Sequence, residues 1–168
     1  MLTLTELQRL PRDCPLIYDN DWLRDTNDDE YVFAKAHLIQ ANLRGLILTK
    51  DLWDNGKQYK VEDGLREFRE NLDILRRSGW KNIPDVTLGA DRIFAKPSSG
   101  RIEDIKPIAA PGVALIVEQA RRATARKPLV VFVGGPLNTV ASAYLTGPVH
   151  RREDGGPDDR PDRLQRAG

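Results

Sequence analysis

Five aspartates fall within eleven positions, Asp19, Asp21, Asp25, Asp28 and Asp29, directly after the apolar run Leu16-Ile17-Tyr18. Carboxylates crowded this closely repel each other unless protons or a cation neutralise them. A hard divalent cation with oxygen ligands is the natural partner. Asp28, Asp29 and Glu30 also have a simpler use, because acids in the first turn of a helix complement its dipole. Asp19 and Asp21 resist that explanation. They alternate at the end of a short apolar segment that reads as a buried strand, so at least one should point into the crevice above a sheet. Asp25 falls in the loop between and takes no role.

The elements that must position these groups follow from the apolar pattern. "PLIY" (15–18), "GLILT" (45–49), "DVTLG" (85–89) and "PLVVFV" (128–133) read as strands. "DDEYVFAKAHLIQANL" (28–43) and "VEDGLREFRENLDILRRSG" (61–79) read as helices, the second with Leu65, Phe68, Leu72 and Leu75 at helical spacing and Gly79 as its C-cap. "PGVALIVEQARRA" (111–123) opens on a proline suited to a first turn and closes on Arg121 and Arg122. "GGPLNTVASAYL" (134–145) turns through glycines into a further helix, and "TLTELQRL" near the start forms a short one ended by Pro11. Strand and helix alternate, so the fold class expected is α/β: an open, mainly parallel sheet with helices on both faces, Rossmann-like. Ligands of such sheets bind at the carboxyl ends of the strands, near a switch in strand order. Two features sit at such ends, the acidic run after the first strand and Gly134-Gly135 after the fourth.

Composition narrows the function classes. With 168 residues, a net charge of +1, 40% hydrophobic and 30% charged residues, the chain reads as one soluble domain. The balanced charge points to neither nucleic acid nor an anionic membrane. No apolar run approaches a membrane span, and the N-terminus has no leader pattern, so a cytoplasmic protein is expected. Cys14 is the one cysteine, which excludes an internal disulfide. From Gly147 onward the composition turns to Arg, Asp, Gly and Pro. Residues 1–147 are therefore expected to form the domain and 148–168 a disordered tail.

Three motifs compete for the acidic run. Asp19 to Glu30 has the length of an EF-hand loop, but Leu23 and Arg24 occupy positions that need a ligand and a glycine, and the preceding segment reads as strand. "YDND" suits the D-x-D of a haloacid-dehalogenase-like phosphatase, with Leu23 standing where that family has Thr or Val. "LIYDNDWLRDTNDDEYVFA" resembles the N-terminal signature of the inosine/uridine-preferring nucleoside hydrolases: an apolar strand, D-x-D, a loop, then D-D opening a helix. Here the loop "WLRDTN" is longer than that family's. "KPLVVFVGGPLNTVASAYL" is similar to the family's strand ending in T-G-P-L-T-N, and "NIPDVTLGADRIF" to its I-P-V-x-x-G-A segment. The matches occur in the family's order and cover roughly residues 15–147.

The resemblance implies calcium-dependent hydrolysis of the N-glycosidic bond of a ribonucleoside. It implies Asp21 as calcium ligand and general base, Asp29 as calcium ligand with both oxygens, and Gly134 as a carbonyl ligand. Asp28 would bind a ribose hydroxyl, Asn55 the substrate, and Asp19 would support the site from behind. It further implies a longer chain, whose later half adds another acidic ligand, a His beside the leaving base and ribose-gripping Asn and Glu residues. None of these has a counterpart here, so a truncated, N-terminal half of that fold is expected. A non-catalytic, metal-binding remnant is the alternative, with the phosphatase behind it. The partner expected is a ribonucleoside or related small molecule, and a homo-oligomer is compatible with the fold. Trp53, close to Asn55, could stack on a base, although a half-buried loop tryptophan explains it as well. His37 reads as structural or surface.

Overall fold

The computed structural model describes residues 11–21, 28–50 and 61–147. The short helix expected before Pro11, Asp25, Trp53, Asn55 and the expected tail lie outside these residues.

Four parallel strands form one sheet among the described residues, β1 (Pro15–Asn20), β2 (Asn42–Leu48), β3 (Val86–Leu88) and β4 (Val130–Val133), in the order β3-β2-β1-β4. Four α-helices connect or follow them: α1 (Asp28–His37), α2 (Val61–Arg77), α3 (Pro111–Arg122) and α4 (Asn138–Thr146). A single 3₁₀ turn, Ile102–Asp104, interrupts the long segment before α3. The open α/β sheet expected from the sequence is present.

Period-two alternation divides the core. Tyr18, Leu46 and Leu48 face one side, where they pack with Val32, Phe33 and Ala36 of α1 and Phe68 and Leu72 of α2. Ile17 and Ile47 face the other side, against Val113, Ile116 and Val117 of α3 and Ala143 of α4. The sheet is therefore covered by helices on both faces. Strands buried on both faces read as continuous apolar runs, which is why Leu46-Ile47-Leu48 shows no polar alternation.

The chain builds outward from β1 to β2 and β3, then crosses to place β4 on the other side of β1. The strand order thus switches between β1 and β4. Their carboxyl ends carry Asp19-Asn20-Asp21 and Gly134-Gly135, the two features singled out above.

Several boundaries differ from the sequence reading. The helix expected over 28–43 stops at His37, and β2 starts as early as Asn42. Ile39, with φ of 58°, ends α1 in the left-handed conformation, and nothing in its residue type announces that turn. The fourth strand is shorter than expected, because Pro128 and Leu129 precede the ladder that β4 makes with β1.

Candidate functional site

Alternation also divides the acidic run. Asp19 lies on the Ile17 side of the sheet and Asn20 on the Tyr18 side, so the end of β1 carries two polar clusters back to back.

On the α4 side Asp19 is fully buried. Thr49, the residue after β2, donates its hydroxyl to Asp19 Oδ1. Thr49 Oγ1 and Thr139 Oγ1 lie 2.6 Å apart. Thr49 has spent its one proton on Asp19, so Thr139 must donate to Thr49. The Ala90 amide in turn donates to Thr139 Oγ1 at 2.8 Å. A chain of hydrogen bonds therefore runs from the loop after β3, through the first turn of α4 and the end of β2, to the carboxylate at the end of β1. Gly89 leaves room for it, since a Cβ there would collide with both threonine hydroxyls and with Ile47.

This chain ends in an imbalance. Asp19 Oδ2 is buried and has no hydrogen-bond partner among the described residues. Burial pushes the Asp19 carboxyl up to about 7, with the charge of Asp21 adding to the rise and the Thr49 bond opposing it. An orphaned carboxylate oxygen invites either a proton or a cation.

On the α1 side the cluster members bond one another. Tyr18 donates its hydroxyl to Asp29 Oδ1 at 2.8 Å, and Asn20 Nδ2 donates to the same oxygen at 3.0 Å and to the Tyr18 hydroxyl at 2.7 Å. Asn20 Oδ1 accepts the Asp21 amide at 2.9 Å. Asp29 stands in the first turn of α1, where the helix dipole favours its charge. Asn20 thus ties the start of α1 to the backbone that carries Asp21.

Asp21 follows the last residue of β1 and is half-buried. The Gly134 amide donates to the Asp19 carbonyl at 2.9 Å. The turn after β4 is thereby fixed against the end of β1. Gly135 packs directly on Asp21: a Cβ at Gly135 would lie 2.8 Å from the Asp21 amide nitrogen and 3.0 Å from its carboxyl carbon. The second glycine is needed for close approach.

Of the residues expected from sequence, Asp19, Asp21, Asp29 and Gly134 come to one end of the sheet, at the strand-order switch. Asp28 opens α1 beside them, and Asn55 lies outside the described residues. The donors here are all oxygen, the right kind for a hard cation, and the orphaned Asp19 Oδ2 fits a neighbouring positive charge. Among the described residues no three His, Cys, Asp or Glu side chains converge on one point. Backbone carbonyls, water and ligand oxygens would have to complete a coordination shell.

Tyr18, Asn20, Thr49 and Thr139 hold the site together and were not picked out from the sequence. Tyr18 reads as one more apolar strand residue. The two threonines do fall at informative places, one just after an apolar strand and one at a helix start. His37 is structural, as expected: its ring stacks on Trp80 with centroids 5.3 Å apart, and Nδ1 accepts the Lys81 amide.

No helix among the described residues is long and apolar enough to cross a membrane. No protein-family model, no curated protein and no solved structure matches this chain.

Proposed function

We propose that the carboxyl end of this sheet is a nucleoside hydrolase-like site, acting on the N-glycosidic bond of a ribonucleoside with calcium. One observation carries the reading. The segments that resemble that family, far apart in sequence, meet at one strand-order switch, where Gly134 bonds the Asp19 backbone and Gly135 packs on Asp21.

In this reading Asp21 and Asp29 would hold calcium through carboxylate oxygens, and Gly134 through its carbonyl. The ion, when bound, would supply Lewis acidity toward a water and a fixed point for ribose hydroxyls. Asp21, beyond the end of the strand, accepts the proton of the attacking water. Asp28 accepts a hydrogen bond from a ribose hydroxyl, and Asn55 is the further substrate residue that the resemblance implies. Asp19 acts from behind, its Oδ1 fixed by the threonine chain. Asp29 Oδ1 already accepts two hydrogen bonds, which weighs against the two-oxygen grip expected from sequence.

The burial of Asp19 weighs against the phosphatase. Its nucleophile would be Asp19, whose carboxyl is buried, with one oxygen taken by Thr49. In-line attack on phosphorus needs an open oxygen.

The test is release of free base from inosine and from uridine, with and without calcium, by the full chain. Calcium-dependent turnover is expected, lost in Asp21→Ala and strongly reduced in Gly135→Ala, whose new Cβ must displace Asp21. Base release no faster in wild type than in Asp21→Ala would overturn the catalytic reading. Stabilisation by millimolar calcium would then separate a metal-binding remnant from a chain without the site.

A further inference from the structure

A cleft of about 990 Å³ opens at the amino ends of the strands, the end of the sheet remote from Asp19 and Asp21. Four cations line it from separate segments: Arg12 ahead of β1, Arg44 in β2, Arg122 at the end of α3 and Lys127 before β4. Lys127 is paired with Asp13, and Arg122 with Glu118 at 2.6 Å. Neither Arg12 nor Arg44 has an ion pair among the described residues.

The helices run against the strands, so the carboxyl ends of α1, α2 and α3 lie at this end. Their partial negative charge explains many basic residues nearby, such as Lys35, Arg76, Arg77 and Arg122. It does not explain the other two. Arg12 precedes a strand and Arg44 stands within one, so neither caps a helix.

The backbone around the cleft is also irregular. Leu16 pairs with Leu43, but Ile17 pairs with Gly45, which leaves Arg44 as the extra residue of a bulge. Bulges are rare in parallel pairs, and they re-aim a side chain. Ile39 and Asn82, at φ of 58° and 61°, are the two non-glycine residues with positive φ among those described. Both line this cleft. Such conformations are costly, most of all for a β-branched residue, and they gather at functional sites. A bulge and two left-handed residues therefore border one cleft, beside two cations with no ion pair among the described residues.

We propose that this cleft binds an organic phosphate, held by the guanidinium groups of Arg12 and Arg44. A guanidinium presents a planar fork of donors that matches phosphate oxygens in pairs. The cleft far exceeds one phosphate group, and Ile39, Ile83 and Pro84 offer apolar wall to a carbon skeleton. This binding does not depend on the chemistry at the opposite end of the sheet.

Calorimetric titration of the full chain with phenyl phosphate, which has no ribose for the other site, tests it. Phenyl phosphate binds more tightly than inorganic phosphate, and phenol does not bind. Arg12→Gln and Arg44→Gln each weaken binding by about tenfold or more, the range for losing a charge-assisted hydrogen bond. Arg44→Lys, which keeps the charge but not the fork, also weakens it. Asp21→Asn binds as wild type does. No binding at millimolar phenyl phosphate overturns the proposal. So does equal affinity in both Gln variants and wild type, or loss of binding in Asp21→Asn.

Discussion

Asp19 is a fully buried carboxyl with one oxygen bonded and the other without a partner among the described residues. Its environment favours the neutral form, and burial pushes it up to about 7. The sign of the resulting pH dependence follows. Between the ordinary value of 3.8 and about 7, the folded chain keeps a proton that the unfolded chain has released. Stability therefore falls as pH rises through this window, and levels off above it. The full drop is about 4 kcal/mol on the scale of 1.36 kcal/mol per pH unit. In calcium-free protein, urea unfolding from pH 4 to pH 8 should show this loss, and Asp19→Asn should remove most of it. A wild-type profile as flat as that of Asp19→Asn would mean that Asp19 ionises freely in the fold. The sequence makes Asp19 conspicuous as an acid at a strand end. It gives no hint of the protonation, because that comes from burial, imposed by elements far off in the chain, with the Thr49 bond opposing it.

At the scale of the element, two helices end in the same way with different residues. After α2, the Gly79 amide bonds the Arg76 carbonyl and the Trp80 amide bonds the Leu75 carbonyl. After α1, the Ile39 amide bonds Ala36 and the Gln40 amide bonds Lys35. Both are Schellman ends, with the left-handed position filled by Gly79 at φ 91° and by Ile39 at φ 58°. The first was legible because glycine suits that conformation. The second was not: Leu38, Ile39 and Leu43 prolong the apolar pattern, so a helix over 28–43 was the natural reading. Ile39 is 83% exposed and gains little from burial, while a non-glycine residue in this region costs roughly 1–2 kcal/mol. Ile39→Gly should therefore stabilise the protein by about 1 kcal/mol, after allowing for the extra freedom of glycine in the unfolded chain. Thermal melting would register a rise of a few degrees. An unchanged or lower midpoint would mean that Ile39 makes a compensating contact.

At the scale of the molecule, the alternation of strand and helix was enough for the sheet and its direction, because parallel strands need long crossovers. Strand order was not legible. "PLVVFV" carries the strongest strand signal in the chain, yet β4 lies at the margin of the described sheet, with β1 as its one strand neighbour. Apolar composition reports burial on the faces, and α3 and α4 supply that for β4 on one side; it does not report what lies along the edge. Phe132 shows the result, stacked on Tyr18 with centroids 5.3 Å apart yet 46% exposed. Successive amides of a strand point to opposite edges. The Gly134 amide bonds the Asp19 carbonyl of β1, so the Phe132 amide shares that inner edge, and the amides of Val131 and Val133 point outward. Native-state hydrogen exchange followed residue by residue should find Phe132 and Gly134 protected and Val131 and Val133 exchanging much faster, while β1 and β2 are slow throughout. Equal protection along all of β4 would mean that its outer edge is paired in solution. A sheet edge with unpaired donors and an apolar face is a template for another strand, and this alternation of rates distinguishes an open edge from a covered one.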